Sequence, residues 1–134
     1  MDEINLIQAF ENQTLPLDAW THEAHLSVAF YYLKKHSPEE SLILLRSGII
    51  SYNNSVGTVN SFNSGYHETL TIFWIWTIAN YINLHPEHKI EEFLVSKFAI
   101  KEFPFQFYSH EKLFSIEARA KWVEPDIRNL SLED

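Results

Sequence analysis

Residues 69–86 carry no Asp, Glu, Lys or Arg, and apolar side chains cover nearly every side of a helix drawn through them (Leu70, Ile72, Phe73, Trp74, Ile75, Trp76, Ile78). Such a segment must be shielded from water all round, by lipid or by the rest of the chain. The run is about the minimum length for a membrane span. It also holds Thr71, Thr77, Asn80, Asn83 and His85, and its C-terminal end is too polar for lipid. A buried helix at the centre of a globular domain accommodates both features. The rest of the chain must then wrap around it.

The material for wrapping is present. The 134 residues are 46% hydrophobic and include four Trp, six Tyr and ten Phe, enough for one sizeable core and against disorder. A single domain over 1–134 is expected, without repeats or linkers. The flanking segments read as helices. A first short helix covers 2–11, and Pro16 breaks the chain. Asp18 is the expected cap of a helix over about 19–36, whose Leu26, Ala29, Phe30 and Leu33 follow helical spacing. Ser37-Pro38-Glu39-Glu40 carries a capping box with Pro at the first helical position. It starts a helix that Leu42, Leu45, Ile49 and Tyr52 carry to about Asn54, with Gly57 closing the pattern. A polar loop, 55–65, leads into the central helix over about 66–84, which stops before Pro86. A further helix is predicted from near Pro86 to about Lys101, a helical turn over 108–114, and a last short helix from its cap at Ser115 to Val123. No segment alternates with a period of two. The prediction is an all-α fold, an up-down helical bundle of about four main helices with short terminal helices.

Short connections make consecutive helices antiparallel, so the starts of the second and central helices share one end of the bundle. That end gathers His22 and His25, then Tyr52, Asn53 and Asn54, then Tyr66, His67, Glu68 and Thr71, and finally Tyr108, Ser109 and His110. His22 and His25 are three apart and lie on the face that continues through Leu26, Ala29 and Leu33. His67 shares a stripe with Thr71, Trp74 and Ile78. Three inward imidazoles at one level could hold one divalent metal, zinc, iron or nickel, with an open position of the catalytic kind. Glu68 would be the acid/base helper beside a metal-bound water. Tyr52, Asn53, Tyr66, Thr71 and Tyr108 are the candidate ligand-binding side chains. Trp20 and Trp74 could wall a pocket. The bland alternative is that these histidines only bond backbone carbonyls. Arg46, among leucines, is expected to snorkel to the surface or else to pair with a carboxylate. Arg119 and Asp126 could form a tail salt bridge. The other end collects His36, His85 and His88, which read as ordinary surface histidines.

Three motifs strengthen the focus on this end. Trp20-Thr21-His22-x-x-His25-Leu26, Gly65-Tyr66-His67-Glu68-Thr69-x-Thr71 and Tyr108-Ser109-x-Glu111-x-Leu113-Phe114-Ser115, followed by Ala118-Arg119 and Pro125-Asp126, stand in this order along the chain, and the likeness they carry extends over about 10–130. In this the chain resembles a family of small uncharacterised bacterial helical proteins. The resemblance implies a site shared by the His-rich motifs and supplies no reaction. More loosely, three histidines in a small bundle resemble the metal site of the DinB-like proteins, although the spacings differ and the central helix has no His-x-x-x-His pair.

Several classes are excluded. Ten Lys plus Arg against eighteen Asp plus Glu give a formal charge of −8, which repels nucleic-acid backbones and anionic membranes. With no Cys there is no disulfide, thiolate nucleophile or Cys zinc site. No P-loop, dinucleotide fingerprint or Gly-x-Ser-x-Gly elbow occurs. No Glu-x-x-His accompanies His22, His25 or His67, as a di-iron centre would need. The first residues, Met1-Asp2-Glu3-Ile4-Asn5, lack the basic start of a secretory signal, so a cytoplasmic address is expected. The expected function is a divalent-metal-dependent enzyme acting on a small molecule. The alternatives are a metal-free module for a small polar ligand, or a structural, partner-binding domain. A homodimer is permitted.

Overall fold

A computed structural model describes residues 2–132. Met1, Glu133 and Asp134, which the expected domain span includes, lie outside the described residues. The described chain is all-α. Its elements are α1 (Glu3–Glu11), α2 (His22–Lys35), α3 (Pro38–Val56), α4 (Glu68–Leu84), α5 (Ile90–Leu94), α6 (His110–Leu113) and α7 (Ile116–Ala120), with 3-10 turns at Leu17–Ala19 and Phe103–Gln106. None of these helices is long and apolar enough to cross a membrane.

Local chemistry sets the helix starts. Asp2 caps α1 by accepting from the Asn5 N–H at 2.8 Å. Ser37 and Glu40 exchange side-chain and backbone bonds at the start of α3, with Pro38 in the first position, so the expected box is present. Gly57 ends α3 in the left-handed region, at φ 83°. The expected Asp18 cap is replaced. Pro16 to Trp20 closes a 3-10 turn that takes up Asp18, the chain then extends, and Thr21 caps α2 by accepting from Ala24 N–H at 3.1 Å. The later start puts His22 in the first position of the helix. α4 likewise begins two residues past Tyr66, because His67 is its N-cap.

The predicted helix over 86–101 does not form as one piece. Only Ile90–Leu94 is helical, held by a box in which Glu92 accepts from Lys89 N–H at 2.8 Å. Both the N–H and the hydroxyl of Ser96 then bond Phe93 O, at 2.9 and 2.6 Å, which breaks the i to i−4 ladder. The last helix also stops short of Val123, at Ala120.

α2, α3 and α4 pack against one another, and α1 lies on α2 and α3. The link from α2 to α3 is His36 and Ser37 alone, consistent with up-down packing. One apolar cluster fills the space between α1, α2, α3 and α4, around Phe10, Leu26, Phe30, Tyr52 and Ile78. A second forms where the chain after α5 folds onto α4, around Phe73, Phe103, Phe107 and Tyr108, and Trp74 touches both. Gly48, inside α3, allows the close approach of Phe10. A Cβ there would stand 2.7 Å from the ring.

Candidate functional site

Two adjoining cavities open at the end of the bundle where α2 and α4 begin. One, of about 440 Å³, has Asn53, Tyr66, His67 and Thr71 among its lining residues. The other, of about 510 Å³, is bounded by Trp74, Phe105, Phe114, His22 and Lys101. Trp20, His25 and Leu70 line both. Trp20 and Trp74, the two tryptophans offered as pocket walls, both line the second cavity.

His25 stands between the cavities. Its Nδ1 donates to Thr21 O at 2.8 Å, which leaves Nε2 as the lone-pair nitrogen. The ring lies flat on Trp20, 3.7 Å between centroids, and Trp20 is stacked in turn on Phe10 at 4.7 Å. Burial pushes its pKa down to about 4, against the pull of the Thr21 bond, and the neighbouring His22 adds to the lowering. The ring is neutral at pH 7. His22, at the head of α2, donates from Nε2 to Ala99 O at 2.8 Å and meets Trp74 edge-on, 5.2 Å between centroids.

His67 is committed at both nitrogens. Nδ1 accepts from the Leu70 N–H at 3.1 Å as the cap of α4, and Nε2 donates to Leu113 O at 2.7 Å. Burial holds its pKa below the ordinary histidine range, and the Arg119 charge acts in the same direction. No lone pair is left for a metal. The expected set of His22, His25 and His67 does not converge as three ligands, because the chain uses the third imidazole to tie α4 to the Leu113 backbone.

Glu68 is likewise occupied. Arg46 Nε donates to Oε1 at 2.9 Å and the guanidinium grips Oε2, while Tyr66 OH donates to Oε1 at 2.6 Å. Burial alone would raise its pKa, but the bonds and charge of Arg46 and the Tyr66 bond outweigh it, so the carboxyl is held below its usual range. It is a fixed anion that ties α3 to α4, a poor proton acceptor for the acid/base role first assigned to it. Arg46 takes the carboxylate pairing, not the snorkelling orientation.

The remaining candidates divide. Thr71 Oγ1 donates to His67 O at 2.8 Å and Asn53 Nδ2 to Asn60 Oδ1 at 3.0 Å, both at the wall of the smaller cavity. Tyr52 and Tyr108 are removed from it. Both are fully buried, and their hydroxyls donate to Leu15 O at 2.8 Å and Val123 O at 2.6 Å. His110 stacks on Phe105 at 4.0 Å. Arg119 does not meet Asp126. It donates to Gly65 O at 2.8 Å, while Asp126 accepts from the Ser109 N–H and hydroxyl.

Sequence reasoning missed two contributors. Asn60 organises the loop before α4. Its Oδ1 accepts from Asn53 and from Tyr66 N–H, and its Nδ2 donates to Ile50 O. An Asn in a polar loop carries no signal of this. Lys101 lines the second cavity from the irregular stretch that stands where a helix over 86–101 was expected.

At the far end, His85, Glu87 and His88 offer ligand atoms that all lie within 4.8 Å of one another, close enough to hold a metal ion. His85 and His88 are half-buried rather than simply exposed. The spacing His85-Pro86-Glu87-His88 was the available signal. No family model, curated protein or solved structure matches the chain.

Proposed function

We propose that the chain is a small-molecule-binding protein whose ligand sits against His25, without a metal at that end. The observation that carries this is a neutral imidazole whose Nε2 is left as an acceptor between two cavities of about 510 and 440 Å³. Pockets that bury small ligands combine apolar walls with a few placed polar groups. Here Trp20, Trp74, Phe105 and Phe114 supply the walls, Nε2 of His25 accepts from a ligand hydroxyl or N–H, and Lys101 supplies a cation at the rim. The ligand class that matches is a flat aromatic acid with a hydroxyl or a ring N–H. The motif resemblance bears on the same end of the molecule. A metal-activated enzyme is the second reading, favoured only by the ring nitrogens of His22 and His25 that their backbone bonds leave over.

Thermal melts with 4-hydroxybenzoate and indole-3-acetate as probes test the first reading, using tag-free protein. The melting temperature should rise with at least one probe, because a ligand that binds only the folded state stabilises it. The rise should shrink in Lys101→Ala and in Trp74→Ala. No response to either probe, or a response unaffected by both substitutions, contradicts the reading. A response that requires added zinc and is lost in His22→Ala supports the second.

A further inference from the structure

We propose that His85, Glu87 and His88 form a binding site for one divalent transition-metal ion of the zinc class, at the corner between α4 and α5. It lies at the opposite end of α4 from the imidazole cleft, about 25 Å away along the helix at 1.5 Å per residue.

The backbone of this corner is set before any ion arrives. α4 ends at Leu84, and the His85 N–H closes its last turn on Tyr81 O at 2.9 Å. The His88 N–H returns to His85 O at 3.0 Å, with Pro86 between them fixing φ. Lys34 of α2 donates to Pro86 O at 3.2 Å and holds the turn from outside. The two imidazoles lie face to face, 4.5 Å between centroids at 8°. Nε2 of His88 is 3.7 Å from Glu87 Oε1, and the ligand atoms of all three residues fall within 4.8 Å. To share one ion the two rings must turn out of this stack until their lone pairs meet, starting from ligand atoms that are already close.

A further contact suits ligation. His88 Nδ1 and the Tyr81 hydroxyl are 2.7 Å apart. When Nδ1–H donates to that oxygen, Nε2 presents its lone pair on the side of Glu87. Ligating histidines ordinarily donate their second N–H to such an outer partner, which fixes tautomer and ring orientation. The ion takes Nε2 of the tautomer whose proton sits on Nδ1, and in the other tautomer the single ring proton must first move to Nδ1, so the Tyr81 contact selects the form that ligates. Two imidazoles and a carboxylate select zinc, nickel or copper over magnesium and calcium, which favour oxygen donors. Lys34 and Lys89 border the adjoining cleft together with Glu3 and Glu91, so these surroundings cancel and the affinity comes from direct ligation. Three protein ligands leave a fourth position for water.

Calorimetric titration of tag-free, chelator-treated protein with zinc chloride tests the site, with magnesium chloride as control. One zinc per chain should bind and magnesium should not. Binding should be abolished in the doubly substituted His85→Ala, His88→Ala chain and weakened roughly tenfold in Glu87→Gln, whose exposed side chain can be changed without disturbing the fold. Tyr81→Phe should weaken it by about 10- to 100-fold, the usual effect of losing an outer hydrogen bond. His22→Ala should leave it unchanged, which separates this site from the cleft. Absence of zinc binding, or binding that survives the double substitution, overturns the proposal.

Discussion

The chemistry open to a histidine depends on what its two ring nitrogens already hold. His67 has given both away, to Leu70 N–H and Leu113 O, while His25 has given away only Nδ1. Spacing placed His22 and His25 on one helical face but could not show this. The partners are carbonyls of Thr21, Ala99 and Leu113, and backbone groups carry no sequence signal. The same blindness made Glu68 look free, when Arg46 and Tyr66 hold it in place. His25 has a pH signature. Its folded pKa, about 4, lies below the ordinary 6.5 of an unfolded chain, so unfolding takes up a proton in that interval. Its contribution to stability is complete above about pH 6.5 and is lost as pH falls toward 4. Urea midpoints measured from pH 7 to 4 should therefore drop less in His25→Gln than in the unsubstituted chain. Equal slopes would contradict the assignment.

Helix caps are the elements the sequence expressed best. Ser37 with Glu40, Ser115 and Gly57 act where the pattern put them, since each is a local arrangement of a side chain or a permissive backbone with its own neighbours. The all-α class followed from the same local signals. The helix over 86–101 was misread because Phe93, Leu94 and Phe98 keep helical spacing even though Ser96 turns the chain. The cap of α2 was misplaced onto Asp18 because the 3-10 turn from Pro16 to Trp20, which local spacing does not announce, takes Asp18 up and leaves Thr21 to cap. Packing between elements adds a constraint that spacing does not show at Gly48. Alanine there would gain up to about 1 kcal/mol of helix propensity, but its Cβ would meet Phe10 at 2.7 and 2.8 Å. Phe10 cannot retreat, since it is 1% exposed and stacked on Trp20. Gly48→Ala should lower stability by about 1–3 kcal/mol by urea denaturation, the usual cost of overpacking. An increase would mean that the ring has room the structure does not show.

At the scale of the whole molecule, α4 joins two places with different chemistry. Its beginning, with α2, frames the imidazole cleft, and its end meets α5 at the His85, Glu87, His88 corner. Of the set drawn together from the sequence, Asn53, Tyr66, His67 and Thr71 line one cavity, whereas Tyr52 and Tyr108 are buried away from it. The second place was set aside because histidines at helix termini usually face water. Whether the first end acts as proposed turns on the state of one ring. Long-range proton–nitrogen NMR of the imidazoles, recorded at pH 6 alone and with 4-hydroxybenzoate or indole-3-acetate, reads that state. His25 should appear as the neutral Nδ1–H tautomer, with an Nε2 resonance that moves when the probe is added while those of His67 stay in place. A protonated His25 at pH 6, or an Nε2 that neither probe disturbs, would contradict it.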